Sequence, residues 1–500
     1  MHIGEILNAV FDEDIGWRPA SGGIKPVHVA NGLVRALQGR YYDASELNRF
    51  VVWWQAGKVP DERRSLEALS RDDAEGVFRA FAKSPQQFDR LRRYALGLLG
   101  ADRALFPTAD KSSFSLTCGR MVTRDNNDRG LGDFGAMLIN GDDESSLARE
   151  VLRSVTDDRP ADPVTALVWP LLPTEGRDYK VSSRLSKVAK QRHNKASFAA
   201  IREAATTLAT HERAQGNRLR TLHRAVHFAC VTTHVHAQAL AAGGDLSKRP
   251  PALIAMGGQR RSDVALASER SLDAIYTGFE NWLGERLAVR MADGTAFPDD
   301  APEIRATSTD GRQVRAVLQR VGVARKPHGD PTKEETDARA ATFQAVRREF
   351  GDQDATRVLA HTLVSCYARE YESGGPRRFL QALGRKVGLL YPHFQGAARE
   401  KRIRPSVPII DVLVRSCVPA REAIPLEEFL ERLWLRFGLI LGGRRSDTWD
   451  DAEVLDRVGL PVDADALMRN TEEFIDELSM MGLARRYPDG VTFVGDGYGG

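Results

Sequence analysis

Residues 178–241 read DYKVSSRLSKVAKQRHNKASFAAIREAATTLATHERAQGNRLRTLHRAVHFACVTTHVHAQALA. They contain no proline, and Gly216 is the lone glycine, so nothing breaks a helical period for long. The spacing predicts long helices across this stretch and places the chain in a mainly α class with a small α/β region.

The same stretch is where the charge concentrates. From Lys180 to Arg224 there are eleven Lys or Arg residues against two acids, Glu203 and Glu212. Across all 500 residues, 71 cations nearly balance 68 anions, so a polyanion would feel this segment before any other. Within 180–195, positions 180, 184, 187, 191 and 195 fall on one helical stripe, four of them cationic. Val181, Leu185 and Val188 form an apolar stripe on another side. That pattern predicts an amphipathic helix docked by its apolar side, with a cationic face free to neutralise backbone phosphates. The cations proposed for such contacts are Lys180, Arg184, Lys187, Lys190, Arg192, Lys195, Arg213, Arg218 and Arg220. No aromatic is interleaved before Phe198, which favours duplex or backbone contact over base stacking. The bland alternative is a solvated face, or one paired with the acids of another protein.

Further along, His223, His227, Cys230 and His234 are spaced +4, +3 and +4 and share one helical face. The ligand types suit zinc. However, Leu222, Val226, Ala229 and Thr233 on one side, with Phe228, Val231 and Val235 on another, describe a buried helix. Buried histidines are more often hydrogen-bonded core residues than ligands. No Glu or Asp lies in the stripe to act as a base, so HExxH chemistry is not expected.

Outward from this centre, the pattern divides the chain into six parts. A helical region covers 1–100, with Ile24–Leu37, Ala44–Gln55, Asp72–Phe81 and Pro85–Leu99 as helices and Val51–Trp54 as a core patch. A small α/β region covers 101–175, with strands at Phe114–Val122 and Gly135–Asn140. The basic helical domain occupies 176–291, including a short buried strand at Leu253–Met256 and a helix at Ser268–Arg290. A Pro-, Asp- and Gly-rich linker covers 292–332 and more helices cover 333–410. Residues 411–500 form the last part.

The loop Asp125–Gly135 spells GxGxxG at Gly130, Gly132 and Gly135. Leading into a strand, as expected here, it lacks the strand-then-helix context of a dinucleotide site. It also fails the calcium-loop pattern, because Ala136 stands where the bidentate Glu would be. The rival reading, a metal-dependent hydrolase or nuclease, would use either the 223–234 histidine stripe or the acids Asp128, Asp133, Asp142, Asp143 and Glu144 of this region. No P-loop and no GxSxG elbow is present.

The last eighty residues run helix (Leu426–Phe437), turn (Gly442-Gly443), helices near Asp451–Val458 and Asp463–Met481, and then a hairpin turning at Pro488-Asp489-Gly490. This order predicts a winged-helix-like module. The helix expected to read bases, around Asn470–Met481, carries Glu472, Glu473, Asp476 and Glu477, which would repel phosphate. Protein docking is therefore favoured over base reading. Arg444, Arg445, Arg485 and Arg486 remain able to touch a backbone, and Arg377-Arg378, Arg385-Lys386 and Lys401–Arg404 form a second basic patch.

The segment Arg404-Pro-Ser-Val-Pro-Ile-Ile-Asp-Val-Leu-Val-Arg-Ser-Cys417, with Pro425–Gly438 and Gly442-Gly443, resembles the C-terminal part of uncharacterised proteins of bacterial anti-phage defence islands, of the methylation-associated type. It covers about a fifth of the chain and carries no catalytic motif. The resemblance implies an accessory subunit acting beside a methyltransferase, nuclease or ATPase.

Four widely spaced cysteines without a CxxC pair argue against a disulfide framework and for a reducing compartment. The N-terminus lacks signal-peptide character and no apolar run approaches membrane-spanning length, so a cytoplasmic protein is expected. The sequence thus predicts a non-enzymatic, nucleic-acid-associated subunit of a multiprotein defence or DNA-transaction complex, with no cofactor and no membrane contact. The alternatives are the metal-dependent hydrolase and a protein-only scaffold.

Overall fold

The computed structural model describes residues 3–19, 24–42, 118–124, 127–140, 146–155, 174–215, 217–257, 262–294, 311–321, 331–351, 354–370, 375–392, 401–446 and 449–497. Helix dominates, as the periodicity predicts.

From the N-terminus come α1 (Ile3–Val10), a π-helical turn (Phe11–Ile15), α2 (Pro26–Gln38), β1 (Arg40–Tyr42), α3 (Leu131–Ile139), α4 (Leu147–Ser154) and β2 (Gly176–Asp178). Next are α5 (Arg184–Lys190), α6 (Arg192–Gln215), α7 (Arg218–Ala241), β3 (Ala252–Leu253), α8 (Asp263–Ala292) and α9 (Gly311–Arg320). Then follow α10 (Lys333–Phe350), α11 (Ala355–Glu370), α12 (Gly375–Val387), β4 (Leu390–Tyr391) and β5 (Arg402–Ile403). The C-terminal part holds α13 (Val407–Cys417), β6 (Ala423–Pro425), α14 (Leu426–Phe437), β7 (Leu439–Ile440), β8 (Arg445–Ser446) and β9 (Trp449–Asp450). It ends with α15 (Asp451–Arg457), α16 (Ala464–Met480), β10 (Ala484–Arg486) and β11 (Thr492–Gly495). Among the described residues no helix is long and apolar enough to cross a membrane.

The chain divides into two compact units, each discontinuous in sequence. The larger comprises Met1–Ile24, Ser183–Leu208 and Cys230–Gly500; the smaller comprises Lys25–Ser182 and Ala209–Ala229. The stretch 176–291, read as one domain, is therefore shared between them. Helices Ala44–Gln55, Asp72–Phe81 and Pro85–Leu99, and the patch Val51–Trp54, lie outside the described residues. Part of the 292–332 linker does too, and within it α9 is helical.

In the larger unit, α8 is the organising element. Ser262 caps it by accepting from the Ala265 amide, and its buried residues recur on several sides over thirty residues. It packs along α11 so closely that a Cβ on Gly284 would lie 2.4 Å from the His361 ring. Two of its serines serve as strand partners: Ser268 Oγ donates to the Leu253 carbonyl at 2.6 Å and accepts from the Ile403 amide at 3.0 Å, and Ser271 Oγ accepts from the Leu253 amide. The short parallel pair β3–β7 is buried, and the two serines satisfy the Leu253 amide and carbonyl there.

In the C-terminal part, β10, β11 and β6 form an antiparallel sheet in that order, with Phe493 opposite both Pro425 and Arg485. Helix α14 spans the predicted Leu426–Phe437, closed by Gly438 at φ 66°. Asn470, at the start of the segment read as a recognition helix, is turned inward. Its amide donates to the Ile254 and Leu441 carbonyls at 2.8 Å each, and its oxygen accepts from the Met256 amide at 2.7 Å.

In the smaller unit the strand expected at Gly135–Asn140 is helix instead, inside α3. Gly130, at φ 86°, turns the chain into this helix, and its residues Leu131, Phe134 and Leu138 recur at helical spacing and are buried. Of the other expected strand, Phe114–Thr117 lies outside the described residues. Gly119–Met121 is a 3-10 turn, which puts Cys118 and Met121 on the same, buried side. The strand pair found is β1 with β2, Tyr41 opposite Arg177.

Candidate nucleic-acid interface

The cationic stretch is not one helix. Lys180–Ser182 precede α5, Gln191 is extended, and α6 restarts at Arg192, so the predicted stripe from 180 to 195 is interrupted. Leu185 and Val188 are buried as expected, whereas Val181 is exposed. The helix is held by the N-terminal turn. Arg184 donates to Asp12 Oδ2 at 2.7 Å, and Asn194 donates to the carbonyls of Asp14 and Val188. Asp14 is itself sealed between Arg286 and Arg290, each at 2.6 Å.

Beyond Arg184 the picture changes. Lys187, Lys190, Arg192, Lys195 and Arg202 are exposed, and none has an ion pair or side-chain hydrogen bond among the described residues. On α6, residues 192, 195, 199, 202 and 206 fall within one narrow arc at 100° per residue, all exposed; buried Ile201, Ala204, Ala205 and Leu208 occupy the opposite side. Small residues, Ala199 and Thr206, separate the cations. Arg192 and Arg202 stand about 15 Å apart along the axis at 1.5 Å per residue. Several other arginines in this unit are neutralised: Arg339 is fully buried and grips Glu370 through two bonds, and Arg415 joins Asp411 and Asp496.

The two acids of the stretch are also occupied. Glu203 is taken by Arg436 at 2.6 Å. In the smaller unit Glu212 is buried between Arg224 (2.9 Å) and the Thr221 hydroxyl (2.7 Å). There, Lys180 and Arg220 are exposed and without an ion pair, Arg213 lies 3.8 Å from Glu150, and Arg218 is exposed.

The C-terminal cations are less available. Arg486 pairs with Glu472, and Arg445 lies 3.4 Å from Asp450. Arg444 is largely buried over the Trp449 ring and 3.4 Å from Glu431, and Arg485 sits over Tyr487. Glu472, Glu473 and Asp476 on α16 are exposed.

The histidine stripe lies on α7 as predicted but gathers no ligand set. Among the described residues no group of three or more His, Cys, Asp or Glu could hold a metal ion. His227 Nδ1 turns back to the His223 carbonyl at 2.7 Å. Cys230 is buried and burial pushes its thiol up. His234 has both ring nitrogens sealed and, among the described residues, without partners beside a cavity of about 30 Å³, which Tyr276 also lines with a hydroxyl unpartnered among them. Burial lowers His234 to about 4. His236 accepts from Trp17 and meets Asn194 at 2.9 Å, and burial with His193 nearby lowers it to about 3.

The glycine loop is structural. A Cβ on Gly132 would lie 2.4 Å from the backbone of Gly32 and Leu33, so the glycine permits α2 and α3 to touch. The Gly132 amide is satisfied by Asp128 Oδ2 at 2.8 Å. Asp133 accepts from the Tyr179 hydroxyl at 2.6 Å, and burial pushes its carboxyl up. Buried Arg35 stands 3.8 Å from Asp128 and 3.7 Å from Asp133. Asp142, Asp143 and Glu144 lie outside the described residues.

No family model matches the chain, and comparison with curated proteins gives no match.

Proposed function

We propose that the protein is a non-enzymatic, nucleic-acid-associated subunit of a multiprotein bacterial defence or DNA-transaction complex, gripping backbone phosphates with α5 and the first half of α6. One observation carries the reading: five exposed cations stand there without a carboxylate partner among the described residues, while the segment's two acids are held by arginines. Fixed, unneutralised cations on a helix face release counterions on meeting a polyanion, which gives affinity with little sequence preference. The C-terminal module is proposed as a winged helix that docks a protein. The exposed acids of α16 and the inward use of Asn470 favour that over base reading.

The test is retention of a duplex of arbitrary sequence by the full chain and by the double variant Lys187→Glu, Lys190→Glu. Unaltered retention by the variant, or wild-type affinity indifferent to salt, defeats the reading.

A further inference from the structure

Most deeply buried arginines of the larger unit have a carboxylate: Arg290 has Asp14, Arg339 has Glu370, Arg436 has Glu203. Arg249 does not. It is 4 % exposed, its guanidinium lies 4.3 Å over the ring of Trp434, and it makes no hydrogen bond or ion pair among the described residues. Its Nε is sealed and unpartnered, while its two Nη nitrogens are not among the sealed atoms. Trp449 lies 5.0 Å from Trp434 at a tilt of 46°, and Arg444 lies 4.8 Å over the Trp449 ring. Arg444 has two acids beside it, Glu431 at 3.4 Å and Asp451, whose Oδ2 accepts from the Arg444 amide at 3.1 Å, whereas among the described residues no acid pairs with Arg249. Lys248, next in sequence, is exposed.

A buried cation without a counter-charge is costly, and stacking on an indole offsets only part of that cost. A planar guanidinium with its flat side on a ring presents its edge as a fork, the shape that binds two oxygens of one group. We propose that Arg249 on Trp434 is an oxyanion site, and that its ligand is a phosphate group. Phosphate is favoured because Arg249 has no carboxylate among the described residues, whereas its neighbours Lys248 and Arg444 have Asp245 and Glu431, and a phosphate offers the fork two charged oxygens. The inference does not rest on the nucleic-acid reading, since Arg249 lies outside the α5–α6 face.

Inorganic phosphate is titrated into the full-length protein at constant ionic strength, with acetate as the control, following Tm and tryptophan emission. The expected result is a saturable rise in Tm with a saturable emission change. The apparent affinity should weaken at least ten-fold in Arg249→Gln and at least three-fold in Arg249→Lys, which keeps charge but loses the fork. Should Arg249→Gln fail to fold, Arg249→Lys and Trp434→Phe decide; the latter keeps the thermal response and shrinks the emission change. Equal phosphate responses in wild type and Arg249→Lys overturn the site. An equal response to acetate overturns the phosphate assignment. Lys187→Glu with Lys190→Glu should leave the phosphate response unchanged, which separates this site's failure from failure of the α5–α6 interface.

Discussion

Glu203 on α6 meets Arg436 on α14 at 2.6 Å, although Glu203 itself is 68 % exposed at the side chain and Arg436 only 8 %. The arginine also donates to the Ser416 carbonyl and to Thr207 Oγ1 at 3.1 Å. The pair ties two helices of the larger unit together, and it also removes the one acid next to Arg202 from the cationic face.

Replacing that acid should therefore separate binding from stability. Glu203→Gln leaves Arg436 its two neutral partners, and the exposed rim admits water, so the stability loss should be about 1–2 kcal/mol by urea denaturation. Duplex affinity should rise by about two- to five-fold, because a negative charge leaves a face that meets phosphate. A fall in affinity with the fold intact would contradict the assignment.

Five backbone contacts predict a slope near −4.5 in a plot of log affinity against log salt, at about −0.9 per neutralised phosphate. Between 50 and 200 mM salt this amounts to about a 500-fold loss. Lys187→Glu with Lys190→Glu should flatten the slope by about two, measured by fluorescence anisotropy on two unrelated duplexes. Both duplexes should respond alike, since phosphate contacts carry no sequence information.

The composition of 180–224 shows that a cationic surface exists, but not which cations are free. Arg184 and Arg213 look the same as Lys187 and Arg202 in sequence, yet Asp12 and Glu150 lie near the first two and, among the described residues, no acid pairs with the others. That difference depends on tertiary contacts between residues as much as 172 apart. Long periodic helices such as α14 and α16 were legible because their apolar spacing persists over several turns. The short segment 135–140 was not, since a run of apolar residues suits strand and buried helix equally. Arg249 was invisible in sequence, because a lone arginine before two prolines gives no sign of the tryptophan, 185 positions away, that it covers.

The glycines of α3 should grade by what faces them. Gly132→Ala places a methyl 2.4 Å from the backbone of α2, which cannot yield as a side chain can, so about 2–4 kcal/mol should be lost. Gly135→Ala meets side chains alone, the Ala229 methyl at 3.0 Å and Leu33 Cδ1 at 3.6 Å, and should cost about 1 kcal/mol. Denaturant midpoints with unchanged m-values would establish the order. Equal costs would mean that helix contact does not select the first glycine.

His234 supplies a prediction with a definite sign. Burial lowers its folded pKa to about 4, below the value near 6.5 of an unfolded chain. As pH falls the unfolded state binds the proton first, so stability is lost between about pH 6.5 and 4; by pH 5 this residue alone accounts for about 2 kcal/mol. His236, lowered to about 3, acts in the same direction. His234→Leu removes two ring nitrogens that have no partner and leaves an apolar group among Val231, Leu272 and Leu390. At pH 7.5 the variant should match or exceed wild-type stability, because an unsatisfied buried polar group is lost. Its loss of stability between pH 7.5 and pH 5 should be smaller than the wild type's by about 2 kcal/mol, read from urea midpoints at both values. A variant that is destabilised at pH 7.5 and keeps the full acid loss would show that the imidazole has a partner in solution, such as water in the cavity it shares with Tyr276.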